Sequence, residues 1–570
     1  MSRLSPVWNQ QYLLFGQGLG VSALIASLPI LLLLFLLGIK RRPAWQAGLA
    51  GLAATLILSS AGYGMSLRHT LSSAAMGAAF GIFPITWIVY WAIVLYRITA
   101  DTGKFEIIKD SVQSITGDSR LQMLLIAFAF GAFLEGGAGF GTPVAVAAAM
   151  MTGLGFSPLA ASAICLLANT APVAFGAIGI PIITLAGTTG LPLAKLSADV
   201  GRVCAPISFL IPTYLIIAAV GWSAVEEIWP ALLVCGGTFA GLQFAISNYI
   251  GAPLTDIISS LSAMAALVLL LRFWHPAAGN RSSHAHASSA LKHFHHSAPP
   301  TGVTVQRQTT SVLTAHARAY TTGEIISAWM PYVLLVLLVL AWGYKPIQSV
   351  LNSVSSTFAW PGLHNEIQRM PPVVTKASRY GAIFNLNWLS AAGTSCMFAC
   401  ILSAAFLRMS IRRFLVVIAI VGRLLFLPTV TVASVLALAF VMNYCGATGT
   451  LGLAFAATGA LFPFFSSLLG WLGVFLTGSD TSANALFGNL QVVTAQKLGF
   501  SPTLMAAANS AGGVMGKMIS LQTIAVAAAA TGLSVPDQAK LFRFSLRHSV
   551  FLAALVGVEV LLYVYVFHLN

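Results

Sequence analysis

Long apolar runs recur along the whole chain and are separated by short polar segments. Residues 22–39 form the first clear run and residues 544–567 the last. A transmembrane helix needs about 20 mostly apolar residues, and runs of this length recur between these two. The pattern therefore predicts an all-α polytopic membrane protein with about 12 transmembrane helices.

Two segments of the chain carry the same motifs in the same order. The first has G-A-F-L-E-G at 131–136 and L-G-F-S-P at 154–158, and the second has G-V-F-L-T-G at 473–478 and L-G-F-S-P at 498–502. Apolar segments that are interrupted by Gly or Pro at corresponding places in two halves of a chain indicate a transporter's binding site. We therefore predict two internal repeats that contain broken or re-entrant helices.

These motifs divide the chain into two transport repeats set among scaffold helices. The predicted segments are N-terminal transmembrane scaffold helices at 1–120, transport repeat 1 at 121–190, scaffold helices at 191–275, a flexible cytoplasmic His/Ser-rich loop at 276–323, scaffold helices and a linker at 324–469, transport repeat 2 at 470–532, and a C-terminal transmembrane helix at 533–570. The composition of the loop is typical of a disordered linker. Adventitious metal binding by its histidines is the alternative.

Composition and charge exclude an ordinary soluble protein. Hydrophobic residues make up 58% of the chain and charged residues only 8%, whereas roughly 25% are charged in soluble domains. The net charge of +15 would suggest nucleic acid for a soluble chain. Here the basic residues lie in short loops, where they report membrane topology. We expect membrane lipid and no nucleic acid as a partner.

The first repeat contains a glycine-rich stretch, F-L-E-G-G-A-G-F-G-T-P at 133–143. Glycines and a proline this dense are costly inside a helix, so we predict a break, with a new helix starting near Pro143. Gly139, Gly141 and Pro143 would present free N–H groups to a substrate carboxylate. Glu135 is a lone carboxylate in an apolar stretch, and such residues are usually functional. It either carries a coupled proton or caps the loop as a hydrogen-bonded structural group.

The corresponding break in the second repeat exchanges glycines for polar side chains. Ser479, Thr481 and Asn484 supply hydroxyl and amide groups that suit helix caps and ligand contacts. Asp480 is the second intramembrane acid of interest. It could carry a proton, bind a cation, or cap the helix that we predict to begin at Thr481.

Each repeat ends with a further polar pair and a glycine-rich stretch. The pairs are Asn169 with Thr170 and Asn509 with Ser510, and all four are candidate substrate contacts. We expect the helices to unwind at the glycines that follow, which would free backbone groups for a ligand. Lys517 is a candidate counter-charge for an anionic substrate, and snorkelling to an interface is its alternative role.

The sequence contains no motif for catalysis or for ATP hydrolysis. H-E-x-x-H, G-x-S-x-G and the Walker loop are all missing. We therefore predict a secondary transporter that is not an enzyme, binds no metal and needs no cofactor. Glu135 makes protons the predicted coupling ion.

Several long motifs together resemble the bacterial lactate permease family, which includes L-lactate and glycolate permeases. They are F-L-E-G-G-A-G-F-G-T-P at 133–143, N-T-A-P-V-A-F-G-A-I-G-I-P at 169–181, R-M-P-P-V-V at 369–374, G-W-L-G-V-F-L-T-G-S-D-T-S-A-N-A-L-F at 470–487 and G-K-M-I-S at 516–520. The resemblance covers nearly the whole chain. It implies proton-coupled uptake of L-lactate, and also of D-lactate and glycolate, by a multi-pass protein of the bacterial inner membrane.

With this resemblance, the residues combine into one predicted mechanism. The substrate carboxylate would bind at the helix breaks, Lys517 or Arg369 would supply positive charge, and Glu135 would carry the proton. A sodium-coupled carboxylate transporter that uses Asp480, and a passive organic-anion channel, are the alternatives. An oligomer is possible, and the motifs do not distinguish lactate from glycolate.

Overall fold

The computed structural model describes residues 7–40, 42–139, 142–276 and 320–568. Nearly all of the predicted His/Ser-rich loop at 276–323 lies outside these residues. Gly141, one of the predicted substrate contacts, also lies outside them.

The first half of the described chain is helical almost throughout. Its helices are α1 (Leu19–Gly38), α2 (Ala44–Gly62), α3 (Leu67–Asp101), α4 (Lys104–Gln113), α5 (Ser119–Gly137), α6 (Thr142–Gly153), α7 (Pro158–Ala168), α8 (Gly176–Thr189), α9 (Leu193–Ala219), α10 (Trp222–Tyr249) and α11 (Ala252–Phe273). A short 3₁₀ turn, Val173–Phe175, precedes α8.

The second half of the described chain, from residue 320 onward, is also mainly helical. Its helices are α12 (Thr322–Gly343), α13 (Lys345–Asn352), α14 (Ala392–Phe406), α15 (Ile411–Cys445), α16 (Ala447–Thr477), α17 (Asp480–Leu498), α18 (Pro502–Lys517), α19 (Leu521–Thr531) and α20 (Val535–Tyr565).

The predicted multi-pass helical fold is confirmed. Among the described residues, 12 helices are long and apolar enough to cross a membrane, or up to 13 if the bent pair of α7 with Val173–Thr189 counts as one span. The 12 include α18 and α19 taken together as Pro502–Thr531. Their number agrees with the prediction of about 12, because the length of an apolar run is enough to identify a membrane span in the sequence.

Of the five strands among the described residues, four lie in the linker between α13 and α14 and one precedes α1. The all-helical prediction included none of them. One sheet has β3 (Ile367–Arg369) in its middle, which pairs parallel with β1 (Trp8–Asn9) and antiparallel with β4 (Ser378–Arg379). In the other sheet, β2 (Ser356–Ala359) pairs antiparallel with β5 (Ile383–Leu386). The register places Trp8 opposite Ile367. These short strands tie the N-terminal segment to the linker.

Helix α5 lies at the centre of the molecule. Of its apolar window, 94% is buried, compared with 33% for α1 and 28% for α12, whose apolar faces lie on the outer surface. A π-helical stretch, Met123–Phe130, runs through its middle and contains the fully buried Phe128 and Phe130. Such stretches are frequent at functional sites. This helix carries Glu135 into the interior.

The order of elements is the same in the two segments predicted as repeats. In the first, α5 is followed by α6, a turn, α7 and the bent start of α8. In the second, α16 is followed by α17, a turn, α18 and α19. That the two segments are internal repeats stays a prediction.

Candidate functional site

Breaks in the helices lie around a cavity of about 300 Å³. Pockets that bind small molecules begin at about this volume. The predicted site residues that line it are Glu135, Gly139, Ser479, Asp480, Thr481 and Lys517. Apolar side chains of α15, among them Leu427 and Val432, form part of the remaining wall. The cavity therefore combines a few charged and hydroxyl groups with an apolar surface.

Glu135 and Lys517 form a buried ion pair at this cavity. The Nζ of Lys517 donates to Oε1 of Glu135 at 2.7 Å, and the side chains are only 11% and 3% exposed. The amide Nδ2 of Asn169 donates to the other carboxylate oxygen, Oε2, at 3.2 Å. Both oxygens of Glu135 are thus held by donors, as an ionised carboxylate requires. Lys517 faces the interior and does not snorkel to an interface.

Glycines allow the backbones to approach Glu135 closely. Helix α5 continues through Glu135 to Gly137, so the helix ends slightly later than the sequence suggested. A Cβ on Gly136 would lie 2.9 Å from Cβ of Asp256, and a Cβ on Gly176 would lie 2.8 Å from Oε1 of Glu135. Any larger residue at these positions would displace the carboxylate or the neighbouring helix.

The predicted break in the first repeat is present after α5. Gly139 has a φ of +61° and lines the cavity, which is a conformation that glycine adopts without steric cost. Pro143 is buried near the start of α6, as expected for a proline at a helix N-terminus. It is not among the residues that line the cavity.

The start of α8 is also unwound, as predicted. Ala177, Ile178 and Gly179 all have positive φ angles, of 46°, 62° and 76°. A positive φ is uncommon for a residue with a side chain and costs of order 1–3 kcal/mol. The chain bends by 67° between α7 and the segment that contains α8. Ala177 and the following Pro181 line the cavity.

Asp480 anchors a network of polar side chains at the same cavity. Its Oδ2 accepts a hydrogen bond from Oγ of Ser510 at 2.6 Å and one from Nδ2 of Asn484 at 3.2 Å. Asn509 donates to Oδ1 of Asn484 at 2.9 Å, and Gln491 donates to Oδ1 of Asn509 at 3.0 Å. All five residues are buried. The predicted contacts Asn484, Asn509 and Ser510 are thus brought together behind Asp480.

Asp480 does not cap α17, which was one of its three predicted roles. Gly478, with a φ of +74°, ends α16, and Ser479 is the N-cap of α17, its Oγ accepting from the backbone N–H of Ser482 at 3.3 Å. Asp480 is the first residue of α17, so the helix begins one residue earlier than the predicted start at Thr481. Its Oδ1 makes no hydrogen bond to any described residue.

The predicted unwinding at Gly512–Gly516 is wrong, because α18 remains helical to Lys517. These glycines serve close helix packing instead. A Cβ on Gly512 would lie 2.0 Å from the carbonyl oxygen of Ser467, and one on Gly516 would lie 2.4 Å from that of Trp471. Small residues that let two backbones touch are common between transmembrane helices. The turn that interrupts this segment follows Lys517.

Two predicted site residues lie away from this cavity. Thr170 is buried in the turn after α7, where its Oγ1 donates to the carbonyl oxygen of Leu167 at 2.7 Å. Arg369 lies on β3, with its guanidinium carbon 4.7 Å from the ring centre of Tyr380. Neither residue lines the cavity.

Sequence reasoning overlooked Asp256, a third acid in this region. It lies in α11, is 1% exposed, and packs against the Gly136 backbone beside Glu135. The signal was present in the sequence, since Asp256 is the sole charged residue between Glu227 and Arg272. It was missed because it belongs to neither copy of the repeated motifs.

The chain is similar to proteins of one family over nearly its whole length. The model of the family described as L-lactate permease matches residues 22–567. The chain is 44% identical to the L-lactate permease of Bacillus subtilis strain 168, covering 98% of this chain and 99% of the relative. It is 43% identical to the glycolate permease GlcA of Escherichia coli strain K12, covering 98% of each.

A more distant likeness is found among solved structures. MtrF of Neisseria gonorrhoeae has a TM-score of 0.46 and 14% sequence identity, covering 94% of this chain and 97% of MtrF.

Proposed function

The chain belongs to the L-lactate permease family, and on this basis we propose that it takes up L-lactate, with D-lactate and glycolate as further substrates, together with protons. As a permease, it is a multi-pass protein of the bacterial inner membrane and not an enzyme. The names of its relatives support a small monocarboxylate as the substrate. The charged residues at the cavity support proton coupling.

The observation that carries this proposal is the ion pair between Lys517 and Glu135 at the cavity. An entering carboxylate has the same charge and geometry as the side chain of Glu135, so the two compete for the ammonium group of Lys517. When the substrate takes Lys517, Glu135 is left buried without its cationic partner. An unpaired buried carboxylate is strongly disfavoured and takes up a proton instead.

This competition couples anion binding to proton binding. Lys517 keeps one negative partner at every stage, and Glu135 is neutral only while the substrate is bound. The loaded carrier therefore gains one anion and one proton, whose charges sum to zero. Net movement of the pair avoids working against the membrane potential, which costs about 2.3 kcal/mol per charge per 100 mV.

The remaining cavity residues suit the rest of a hydroxy acid. The hydroxyl groups of Ser479, Thr481 and Ser482 line the wall at the N-terminus of α17. Helix N-termini and hydroxyl groups bind oxygen-rich anions. The apolar side chains of Leu427 and Val432 on α15 suit the methyl group of lactate, which glycolate lacks.

Asp480 supports a second candidate function, sodium-coupled uptake. Its Oδ1 lacks a hydrogen bond among the described residues, and Asp480 lines the cavity. Hard cations prefer several oxygen ligands. However, Oδ2 already accepts from Ser510 and Asn484, and Oδ1 of Asn484 accepts from Asn509. The network thus offers few free oxygens, which favours protons over sodium.

The experiment is uptake of labelled L-lactate into proteoliposomes that contain the purified protein. An inward proton gradient and an inward sodium gradient are imposed separately, each with and without unlabelled glycolate. We expect accumulation above equilibrium with the proton gradient alone, and inhibition by glycolate.

The other outcomes separate the alternatives. Accumulation driven only by sodium would transfer the coupling role to Asp480. Equilibration without accumulation under either gradient would indicate a passive anion pathway. Accumulation that glycolate does not inhibit would remove glycolate from the proposed substrates.

A further inference from the structure

Asp256 is a buried acid that the proposed ion-pair exchange does not use. It lies in α11, is 1% exposed, and neither of its carboxylate oxygens forms a hydrogen bond within the described part of the chain. An ionised carboxylate in such a place loses its hydration and gains no donor in return. A carboxyl group that is neither solvated nor hydrogen-bonded is therefore far more stable with a proton.

The surroundings of Asp256 make the charged form still less favourable. The backbone of Gly136 packs against Asp256, and Glu135 is the residue before Gly136 in α5. Glu135 is the acidic neighbour from α5, and Cys204 is the titratable neighbour from α9. Lys517 is bonded to Glu135. Two neighbouring carboxylates repel each other when both are charged, so the charge of Glu135 disfavours the ionised form of Asp256.

Gln243 of α10 is the polar side chain that interacts with Asp256. Its Nε2 donates to the carbonyl oxygen of Ala171 at 3.1 Å, while its Oε1 has no partner among the described residues. Unpartnered acceptor oxygens thus occur on both side chains. The interaction with Gln243 favours the ionised carboxylate of Asp256, but burial outweighs it.

We propose that Asp256 holds the transported proton while Glu135 is paired with Lys517, and passes it to Glu135 when the substrate carboxylate takes Lys517. In this step the O–H bond of Asp256 breaks and a new O–H bond forms on Glu135, so the total charge of the two acids does not change. Asp256 is then reprotonated from the side on which the cavity is open. This inference rests on the proposed proton coupling and adds a second carrier to it.

The transport experiment compares Asp256→Asn and Asp256→Glu with the unmodified protein in proteoliposomes. Asn cannot carry a proton, so we expect exchange of labelled for unlabelled lactate to persist while accumulation driven by a proton gradient is lost. Glu retains a carboxyl group, and we expect accumulation to persist with a shifted pH profile. Glu559→Gln is the matched control, because Glu559 is also an acid within a long apolar helix but lies in α20 and does not line the cavity.

Infrared difference spectroscopy tests the inference on the unmodified protein. We expect a protonated-carboxyl band to be present before L-lactate is added and to lie at a different frequency in Asp256→Glu. We expect L-lactate to shift this band, except in Glu135→Gln, where the proton has no acceptor. This measurement remains decisive if Asp256→Asn does not fold.

The outcomes distinguish this inference from the proposed function. If the unmodified protein shows no proton-driven accumulation, the proposed function fails, whatever the variants do. If it accumulates lactate and Asp256→Asn accumulates it equally, the role of Asp256 is refuted. Equal loss of accumulation in Asp256→Asn and Asp256→Glu, or a lactate-induced band shift that is unchanged in Glu135→Gln, would also overturn it.

Discussion

The ammonium group of Lys517 lies 2.7 Å from the carboxylate of Glu135, although 382 positions separate the two residues in the chain. Glu135 lies in the last turn of α5, before the first break, and Lys517 is the last residue of α18 in the second half. Their contact joins the two segments at the cavity. Removing one member of a buried ion pair typically costs about 3–5 kcal/mol, because it leaves the other charge unpaired.

The first prediction concerns Glu135→Gln. The glutamine cannot take up a proton, and it no longer competes as an anion for Lys517. We expect lactate to bind more tightly and lactate exchange to persist, while accumulation driven by a proton gradient falls to passive equilibration. Counterflow and gradient-driven uptake in the same proteoliposomes measure the two activities.

A matched control for this variant is Glu227→Gln, because Glu227 lies near the start of α10 in an ion pair with Arg120 outside the cavity. It should transport as the unmodified protein does. Normal concentration of lactate by Glu135→Gln would show that Glu135 is not a coupling residue.

The second prediction compares Lys517→Met with the double variant Lys517→Met, Glu135→Gln. The single change leaves Glu135 buried without a cation, so we expect it to lower the free energy of unfolding by about 3–5 kcal/mol. The double variant leaves no uncompensated charge and should recover much of this loss. Thermal unfolding in detergent measures stability, and lactate binding should be weak in both variants.

The contribution of the ion pair follows from the double-mutant cycle. Additive effects of the two changes would mean that the residues do not interact in the membrane-embedded protein. Tight lactate binding by Lys517→Met would exclude the lysine as the counter-charge.

The sequence predicted much of the fold because membrane spans depend mainly on apolar length. It also indicated Glu135, Asp480 and Lys517, since a charge within an apolar run is conspicuous. The contact between Glu135 and Lys517 was not predictable, because it depends on how distant helices pack. The motifs could indicate which segments break, but not which side chains meet there.

Glycine was the most ambiguous signal in the sequence. Around Gly179 it accompanies unwound backbone, whereas Gly512 and Gly516 allow helices to touch. The composition is similar in both places, and only the neighbouring helix decides between the two outcomes. Asp256 shows a different difficulty. It lies outside the repeated motifs, so a role could be proposed for it only once the structure showed which residues surround it.

The third prediction concerns pH and Asp118, the N-cap of α5. Burial raises the pKa of this carboxyl, but hydrogen bonds from the side chain and backbone of Arg120 outweigh burial and hold the pKa below its ordinary value. A lowered pKa stabilises the folded protein above the unfolded pKa of about 3.9, and the effect is lost as pH falls through the folded value. Asp118→Ala should therefore cost about 1 kcal/mol near neutral pH.

Melting temperature as a function of pH in detergent checks this prediction. The difference between Asp118→Ala and the unmodified protein should shrink on acidification. Asp118→Asn keeps the capping oxygen and should lie between the two. A difference that is constant down to strongly acidic pH would contradict the assigned role of the charge.

The last prediction tests close packing between α16 and α18 by comparing Gly512→Ala with Gly241→Ala. The new Cβ at Gly512 would lie 2.0 Å from the carbonyl oxygen of Ser467, a backbone atom that cannot move alone, whereas Gly241 in α10 has nothing within 4 Å. Overpacking of this kind costs about 1–3 kcal/mol, while alanine in an open helical position is favourable by up to about 1 kcal/mol. We therefore expect a lower melting temperature and weaker lactate binding only for Gly512→Ala, since α18 carries Lys517. Equal melting temperatures for the two variants would mean that the backbones of α16 and α18 are further apart.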